Sequence, residues 1–185
     1  PRIELESAPN PRAAVIWLHG LGADGNDFAS LAPELDLRGC PPIRFVFPHA
    51  PSIPVTINGG HIMPAWYDIL GANLVQGCAM ALHTGLRLPH RLAGIMAMSG
   101  YLPLAERFAT ERHAANAQTP IFMAHGLHDP VVVLSRGEAS RDALAALGHP
   151  VQWHTYAMEH AVHPDEISDI SRFLTQVVGS SERAI

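Results

Sequence analysis

Several features that mark whole classes of protein are scarce or missing in this sequence. Only two cysteines, Cys40 and Cys78, occur among 185 residues. That is too few for a disulfide framework and fits a reducing, cytoplasmic setting. Charged residues make up 16% and hydrophobic ones 48%, a balance that packs a globular core and excludes a disordered chain. The formal charge of −5 argues against nucleic acid as a partner, because that role needs a basic face. No apolar run reaches the length of a membrane span. No signal peptide opens the chain, and Pro1 in place of an initiator methionine reads as a trimmed or processed start. No repeat, linker or low-complexity tract divides the sequence, so one domain over residues 1–185 is expected. The 12 histidines are many but scattered, and they read mainly as surface and turn residues.

What is present is an alternation of buried strands and helices. Residues 13–18 form a short apolar run that reads as a strand buried on both faces, and His19-Gly20-Leu21-Gly22 follows it directly. Asn26 reads as a helix cap, with Phe28, Leu31, Ala32 and Leu35 at helical spacing. Residues 43–47 are the second clear strand. From 48 to 71 there is no regular pattern, only turn signals at Pro51, Pro54, Asn58, Gly59, Gly60 and Pro64. Residues 76–88 read as an Ala-rich helix, 92–98 as a strand ending in Ser99-Gly100, and 120–124 as a strand ending in His125-Gly126. A helix over 135–147 closes at Gly148. Residues 151–156 alternate like a strand. Pro164 opens a last helix with Asp165 and Glu166 at its positive end. The pattern predicts an α/β fold, a mostly parallel sheet with helices on both faces. In such sheets ligands sit at the carboxyl ends of the strands, which directs attention to residues 19–22, Ser99, Asp129 and His160.

Taken singly, Asp129 is a turn aspartate before proline and His160 a surface loop histidine. Together, in the order Asp then His after the last two strands, they match the orienting acid and the base of a hydrolytic triad. A neutral His takes a proton from a hydroxyl nucleophile, and a buried carboxylate fixes its tautomer. His19-Gly20-Leu21-Gly22 alone is a plain strand-to-helix turn. After a buried strand it also supplies a backbone N–H for an oxyanion, a donor worth about 3 kcal/mol in acyl transfer.

The sequence as a whole resembles the phospholipase/carboxylesterase family of α/β-hydrolases, which includes acyl-protein thioesterases. The resemblance rests on residues 15–25 (Val-Ile-Trp-Leu-His-Gly-Leu-Gly-Ala-Asp-Gly), 45–51, 55–60 and 65–69. It continues through Gln76-Gly77-Cys78-Ala79-Met80, Ser99-Gly100-Tyr101-Leu102-Pro103, His125-Gly126, Asp129-Pro130-Val131-Val132, and Met158 with His160. It implies a serine carboxylesterase or acyl thioesterase acting on short to medium acyl chains, without cofactor or metal. The substrate would be a small-molecule or lipid acyl ester. Dimerisation is common among such hydrolases, but no residue signals it here. By the resemblance Asp129 orients, His160 is the base, and Leu21 and Gln76 give oxyanion N–H groups. Leu21, Trp66, Ile69 and Val131 would line an apolar acyl pocket.

The sequence departs from the family at the nucleophile. The family carries it in G-x-S-x-G with Gln-Gly directly after the serine. Here Leu74-Val75 precede Gln76-Gly77, and no G-x-S-x-G occurs anywhere. Nor does a strand lead into Gln76, although a nucleophile elbow needs one. Three accounts stand. A strand-helix-strand unit of about 30 residues or more belongs beside Val75-Gln76 in the full protein; the deletion is real and the product inactive; or Val75 is a substitution in a relative that binds acyl groups without hydrolysing them. Cys78 is set two residues too far along to replace the serine and reads as packing. Ser99 matches a non-catalytic strand end. Glu159 stands where the family has Gly, and Val133 where it has Pro, which puts the geometry of both loops in question. A metal site using His125, His128 and His160 is the remaining alternative.

Overall fold

The computed structural model describes residues 1–70 and 75–179. Within it the chain forms two compact units, one of Pro1–Gly77 together with the chain from Ile167 on, the other of Cys78–Glu166.

The first unit is built on a three-stranded sheet. β1 (Arg2–Glu6), β2 (Ala13–Ile16) and β3 (Ile43–Pro48) lie in the order β1-β3-β2, with β3 antiparallel to β1 and parallel to β2. β1 was not foreseen, because its charged residues alternate with only Ile3 and Leu5. The central strand β3 buries Ile43, Phe45 and Phe47 almost completely. Trp17 stacks between Phe28 and Phe47 at 5.4 and 6.2 Å. β2 is an edge strand, and its last residue, Ile16, is 67% exposed.

Two expectations are corrected in this unit. The helix read from Asn26 to Leu35 is only one turn, α1 (Asn26–Ala29), followed by a 3₁₀ turn at Ala32–Glu34. Pro33 cannot donate within a continuing α-helix, and Gly25 rather than Asn26 takes the cap position. The stretch read as patternless contains an antiparallel hairpin, β4 (Ser52–Val55) with β5 (His61–Pro64). Pro54 and Pro64 hide it from pattern reading, since proline is tolerated only where a strand needs no ladder N–H. Val55, Ala65 and Ile69 form a buried cluster at the hairpin's base, with Leu21, Ile53, Met63 and Tyr67 packed against it.

The second unit carries a wholly parallel sheet. β6 (Ile95–Met98), β7 (Ile121–Gly126) and β8 (Val151–Tyr156) lie in that order. All six residues of β7 are buried, as its apolar run requires of a central parallel strand. The unit also holds α2 (Gly77–Gly85) from Cys78 on, α3 (Ala105–Glu111) and α4 (Leu134–Ala146). Burial pushes the Cys78 thiol up to about 12, against a smaller opposing hydrogen bond with the Tyr101 backbone. Cys78 is therefore a packed thiol and no nucleophile at neutral pH. α5 (Pro164–Gly179) begins in this unit and continues in the first. There Ile170, Phe173, Leu174 and Val178 are buried, and Ser171 Oγ accepts the Asp36 N–H at 3.1 Å.

Candidate active site

The second unit brings the predicted acid and base together. β7 ends at His125-Gly126, and Asp129 follows in a tight turn. Asp129 Oδ1 accepts the N–H groups of Val131 and Val132 at 2.8 and 2.9 Å. Oδ2 is 2.7 Å from His160 Nδ1. The carboxylate side chain is fully buried, while the His160 side chain is 37% exposed. Burial alone would raise the Asp129 pKa. The Val132 N–H, His160 and the Val131 N–H outweigh it and hold the group below the usual carboxylate range. An ionised carboxylate only accepts, so His160 donates from Nδ1 and leaves the lone pair on Nε2. Among the described residues nothing bonds to Nε2. That is the tautomer a general base needs.

The two loops are joined along their length. Leu127 N–H donates to Tyr156 O at 2.9 Å, and His128 N–H to Met158 O at 3.1 Å. Gly126 lies so close beneath the second loop that a Cβ there would sit 2.3 Å from Glu159 O and 2.6 Å from Met158 O. Only glycine fits. His125, 1% exposed, bonds through Nε2 to Val132 O at 2.8 Å and pins the far side of the Asp129 turn. The two departures from the family pattern leave this geometry intact. Glu159 is not among the residues with positive φ, so glycine is not required there. Val133 holds φ −57, the value a proline would impose.

The His160 loop is also fixed at its other end. His163 caps α5: its Nδ1 accepts the Asp165 N–H at 3.2 Å, and its own N–H donates to Glu166 Oε2 at 3.3 Å. This is a capping box with histidine in the usual Ser/Thr place. His163 also stacks on Tyr156 at 5.8 Å. Glu166 is 0% exposed and, among the described residues, its Oε1 has no partner. Burial pushes its carboxyl up to about 7, against the smaller effect of the His163 N–H.

The first unit holds the predicted oxyanion residues. His19 is fully buried and ties the loop after β2 in place. Its Nε2 accepts the Ala50 N–H at 3.0 Å, which leaves Nδ1–H to donate to Gly20 O at 2.7 Å. Trp66 Nε1–H donates to His19 O at 2.9 Å, and the two rings lie 5.0 Å apart. The Gln76 side chain, also fully buried, accepts the Trp66 N–H and donates to Tyr67 O, both at 2.6 Å. A Cβ on Gly77 would sit 2.3 Å from Leu18 O and 2.8 Å from His19 O. Gln76-Gly77 is thus pressed onto the loop that carries Leu21. Among the described residues no acceptor takes the N–H of Leu21 or of Gln76. Leu21, Trp66 and Ile69 all belong to this region, with Ile69 buried at 2% exposure; Val131 lies in the other unit, 39% exposed beside Asp129.

Of the 12 histidines, His19, His125 and His149 are buried. Reading the histidines as mainly surface residues overlooked the first two as loop ties. Their signal was in the sequence: each stands in a His-Gly pair at a strand end. Among the described residues no three His, Cys, Asp or Glu side chains group to hold a metal ion, and the His125 Nε2 atom is committed to Val132. The junction preceding Gln76 falls partly outside the described residues. Val75, just before it, is 7% exposed, and its carbonyl lies 3.3 Å from the Tyr67 hydroxyl.

A parallel sheet with an acid after one strand and a base after the next is the α/β-hydrolase arrangement. Known proteins agree with it. The phospholipase/carboxylesterase family model matches residues 2–73 and 74–178, and the chain belongs to that family. It is 34% identical over 223 residues to acyl-protein thioesterase 1 of Neurospora crassa, covering 95% of this chain and 91% of the relative. Acyl-protein thioesterase 1 of Gibberella zeae is also 34% identical, with 91% and 92% covered. Among solved structures, Zea mays acyl-protein thioesterase 2 superposes with a TM-score of 0.82 at 27% identity, covering 95% of this chain and 99% of that one. Arabidopsis thaliana SOBER1, at 22% identity and a TM-score of 0.80, shares the fold. The Neurospora alignment runs over 223 residues and this chain has 185, so the relative carries residues with no counterpart here. The two stretches matched by the family model meet between Asn73 and Leu74, immediately before the expected nucleophile position.

Proposed function

We propose that the chain hydrolyses carboxylic esters or thioesters of short to medium acyl chains, with His160 as general base and Asp129 as the residue that orients it. The observation that carries this reading is the 2.7 Å hydrogen bond between His160 Nδ1 and Asp129 Oδ2. It joins a buried carboxylate to a partly exposed imidazole whose second nitrogen is open. Leu21 and Gln76 are the proposed oxyanion donors, supported by amide groups that no described acceptor engages. Trp66, Ile69 and Val131 are the proposed acyl contacts, with Leu21 packed on the cluster that contains Ile69. The thioesterase names of the fungal relatives support a thioester as the better substrate. One model matching stretches in both units supports a single hydrolase domain. The two free cysteines fit a reducing, cytoplasmic location.

A second reading, an acyl-binding protein without turnover, is favoured by one observation: Val75 stands where the family has its serine. Hydrolysis of p-nitrophenyl butyrate, followed with and without His160→Ala, separates the two. Turnover above buffer that falls by roughly 100-fold or more in the variant supports the hydrolase. Absence of turnover, with butyrate still bound, supports the second reading.

A further inference from the structure

Resting on the hydrolase reading, we propose that Arg136 selects esters or thioesters that carry a carboxylate away from the scissile bond. Among the described residues three arginines lie over aromatic rings: Arg87 over Phe108 at 5.5 Å, Arg141 over Trp153 at 5.2 Å and Arg136 over Tyr101 at 4.2 Å. Arg87 is also paired with Glu111 at 2.7 Å, and Arg141 with Asp142 at 2.8 Å. Arg136 has the shortest stack, yet among the described residues no side chain or carbonyl accepts from its guanidinium. Glu138, two residues along, acts on Arg141 instead. A half-buried arginine without an acid stands out in a chain of net charge −5.

Its place gives that charge a use. Tyr101 follows Ser99-Gly100 at the carboxyl end of β6, and Arg136 lies in the first turn of α4, directly after the Asp129 turn at the end of β7. Both belong to the unit that holds Asp129 and His160, at the sheet edge where ligands bind. The stack is built into the fold. Ser140 Oγ accepts the Leu102 N–H at 2.9 Å and donates to Arg136 O at 2.8 Å, which joins the two segments. Beside Arg136, Gly137 backs onto the His125 ring, 2.6 Å from Nδ1 for the missing Cβ. His125 bonds Val132 O, and the Val132 N–H donates to Asp129 Oδ1. Arg136 is thereby held in fixed relation to the acid that orients the base. A ring against the guanidinium face leaves the N–H groups at its edge to donate, and two parallel N–H groups match the two oxygens of a carboxylate. One unpaired positive charge balances one carboxylate. Val131 and Val133, both exposed on the connecting turn, offer apolar surface for the intervening methylenes.

The test compares kcat/KM within two substrate pairs on the whole chain: p-nitrophenyl hexanoate against mono-p-nitrophenyl adipate, and the hexanoyl thioester of mercaptoethanol against that of mercaptopropionate. The charged member of one pair should be preferred by about 10-fold or more. A preference in the first pair puts the carboxylate on the acyl side, and one in the second puts it on the leaving group. It should lie in KM and weaken in high salt. Arg136→Gln removes it, and Arg136→Lys keeps only part, because an ammonium retains the charge without the fork. Arg141→Gln, whose guanidinium is already paired, leaves it as it was. Turnover with both ratios near one, a preference untouched by salt, or one that survives Arg136→Gln in a protein with unchanged circular dichroism overturns the role of Arg136 and leaves the hydrolase reading standing. No turnover of any of these substrates overturns the hydrolase reading and this role with it.

Discussion

The two units each contain a strand that ends in a His-Gly pair, and both pairs solve the same problem. His19 and His125 are buried, and each bonds a backbone carbonyl of the loop that follows; His19 also ties in the Ala50 N–H from the segment after β3. Behind each loop a glycine backs onto carbonyl oxygens, Gly77 onto Leu18 O and Gly126 onto Glu159 O, at 2.3 Å for the missing Cβ in both cases. The device rigidifies a turn at the carboxyl end of a strand, where backbone and side-chain groups meet ligand. What differs is what the turn presents. In the first unit it presents amide N–H groups, with Val75 where a reactive side chain would stand. In the second it presents an acid hydrogen-bonded to a base. The same kind of support therefore serves two different ends, backbone amides in one unit and a side-chain acid and base in the other.

The comparison can be broken most sharply at Asp129. Asp129→Asn keeps the size of the side chain and an acceptor for the Val131 and Val132 N–H groups, but it no longer dictates the His160 tautomer. Ester turnover should drop by roughly 10³-fold or more while the melting temperature moves little. Steady-state rates alongside thermal unfolding check this, and an equal loss of activity and stability would make the pair structural.

Glu166 gives the next largest effect, and it concerns stability. Its carboxyl is at about 7 when folded, against 4.5 for the free group, so the folded state binds this proton more tightly than the unfolded one. Its contribution favours folding at low pH and is lost as pH rises from about 4.5 through 7. The loss amounts to about 3 kcal/mol. Glu166→Gln retains an acceptor for the His163 N–H and should be the more stable protein at pH 8, with the difference shrinking at pH 5. Urea unfolding at the two pH values measures it.

A pair of glycine variants sharpens the comparison directly. Gly77→Ala and Gly126→Ala should each lose about 1–3 kcal/mol through overpacking. Only Gly126→Ala should alter the NMR shifts of the His160 ring, because only Gly126 lies under the His160 loop. The smallest effect is expected at Ser99. Glycine removes the strain of φ 46° and an unpaired buried hydroxyl together, so Ser99→Gly should stabilise by about 1 kcal/mol in the same unfolding assay.

Much of this was legible in the sequence, and the exceptions have physical reasons. β3, β7 and β8 announced themselves as apolar or alternating runs, and α4 and α5 as periodic segments bounded by Gly148 and Pro164. The hairpin β4–β5 was masked by prolines that its edge positions tolerate. The helix expected from Asn26 ended at Ala29, because Pro33 can neither donate to the carbonyl four residues before it nor clear it, which outweighs the helical spacing of Phe28, Leu31 and Leu35. Asp129 and His160 could be named because their order along the chain is informative even when each residue alone is not. The burial of His19, His125 and Glu166 could not be read in the same way. It depends on close approach between segments distant in sequence, such as Ala50 to His19 and Trp153 to His125, which periodicity does not encode.

The central claim is that Asp129 holds His160 with its proton on Nδ1 and its lone pair free on Nε2. Two-bond nitrogen–proton NMR of the imidazole tests it most directly, on the unaltered chain at a pH where the ring is neutral. The account predicts a pyrrole-like Nδ1 carrying a slowly exchanging proton and a pyridine-like Nε2, with that pattern collapsing to the averaged tautomers of a free side chain in Asp129→Asn. A proton on Nε2, or averaged tautomers in the unaltered protein, would contradict it.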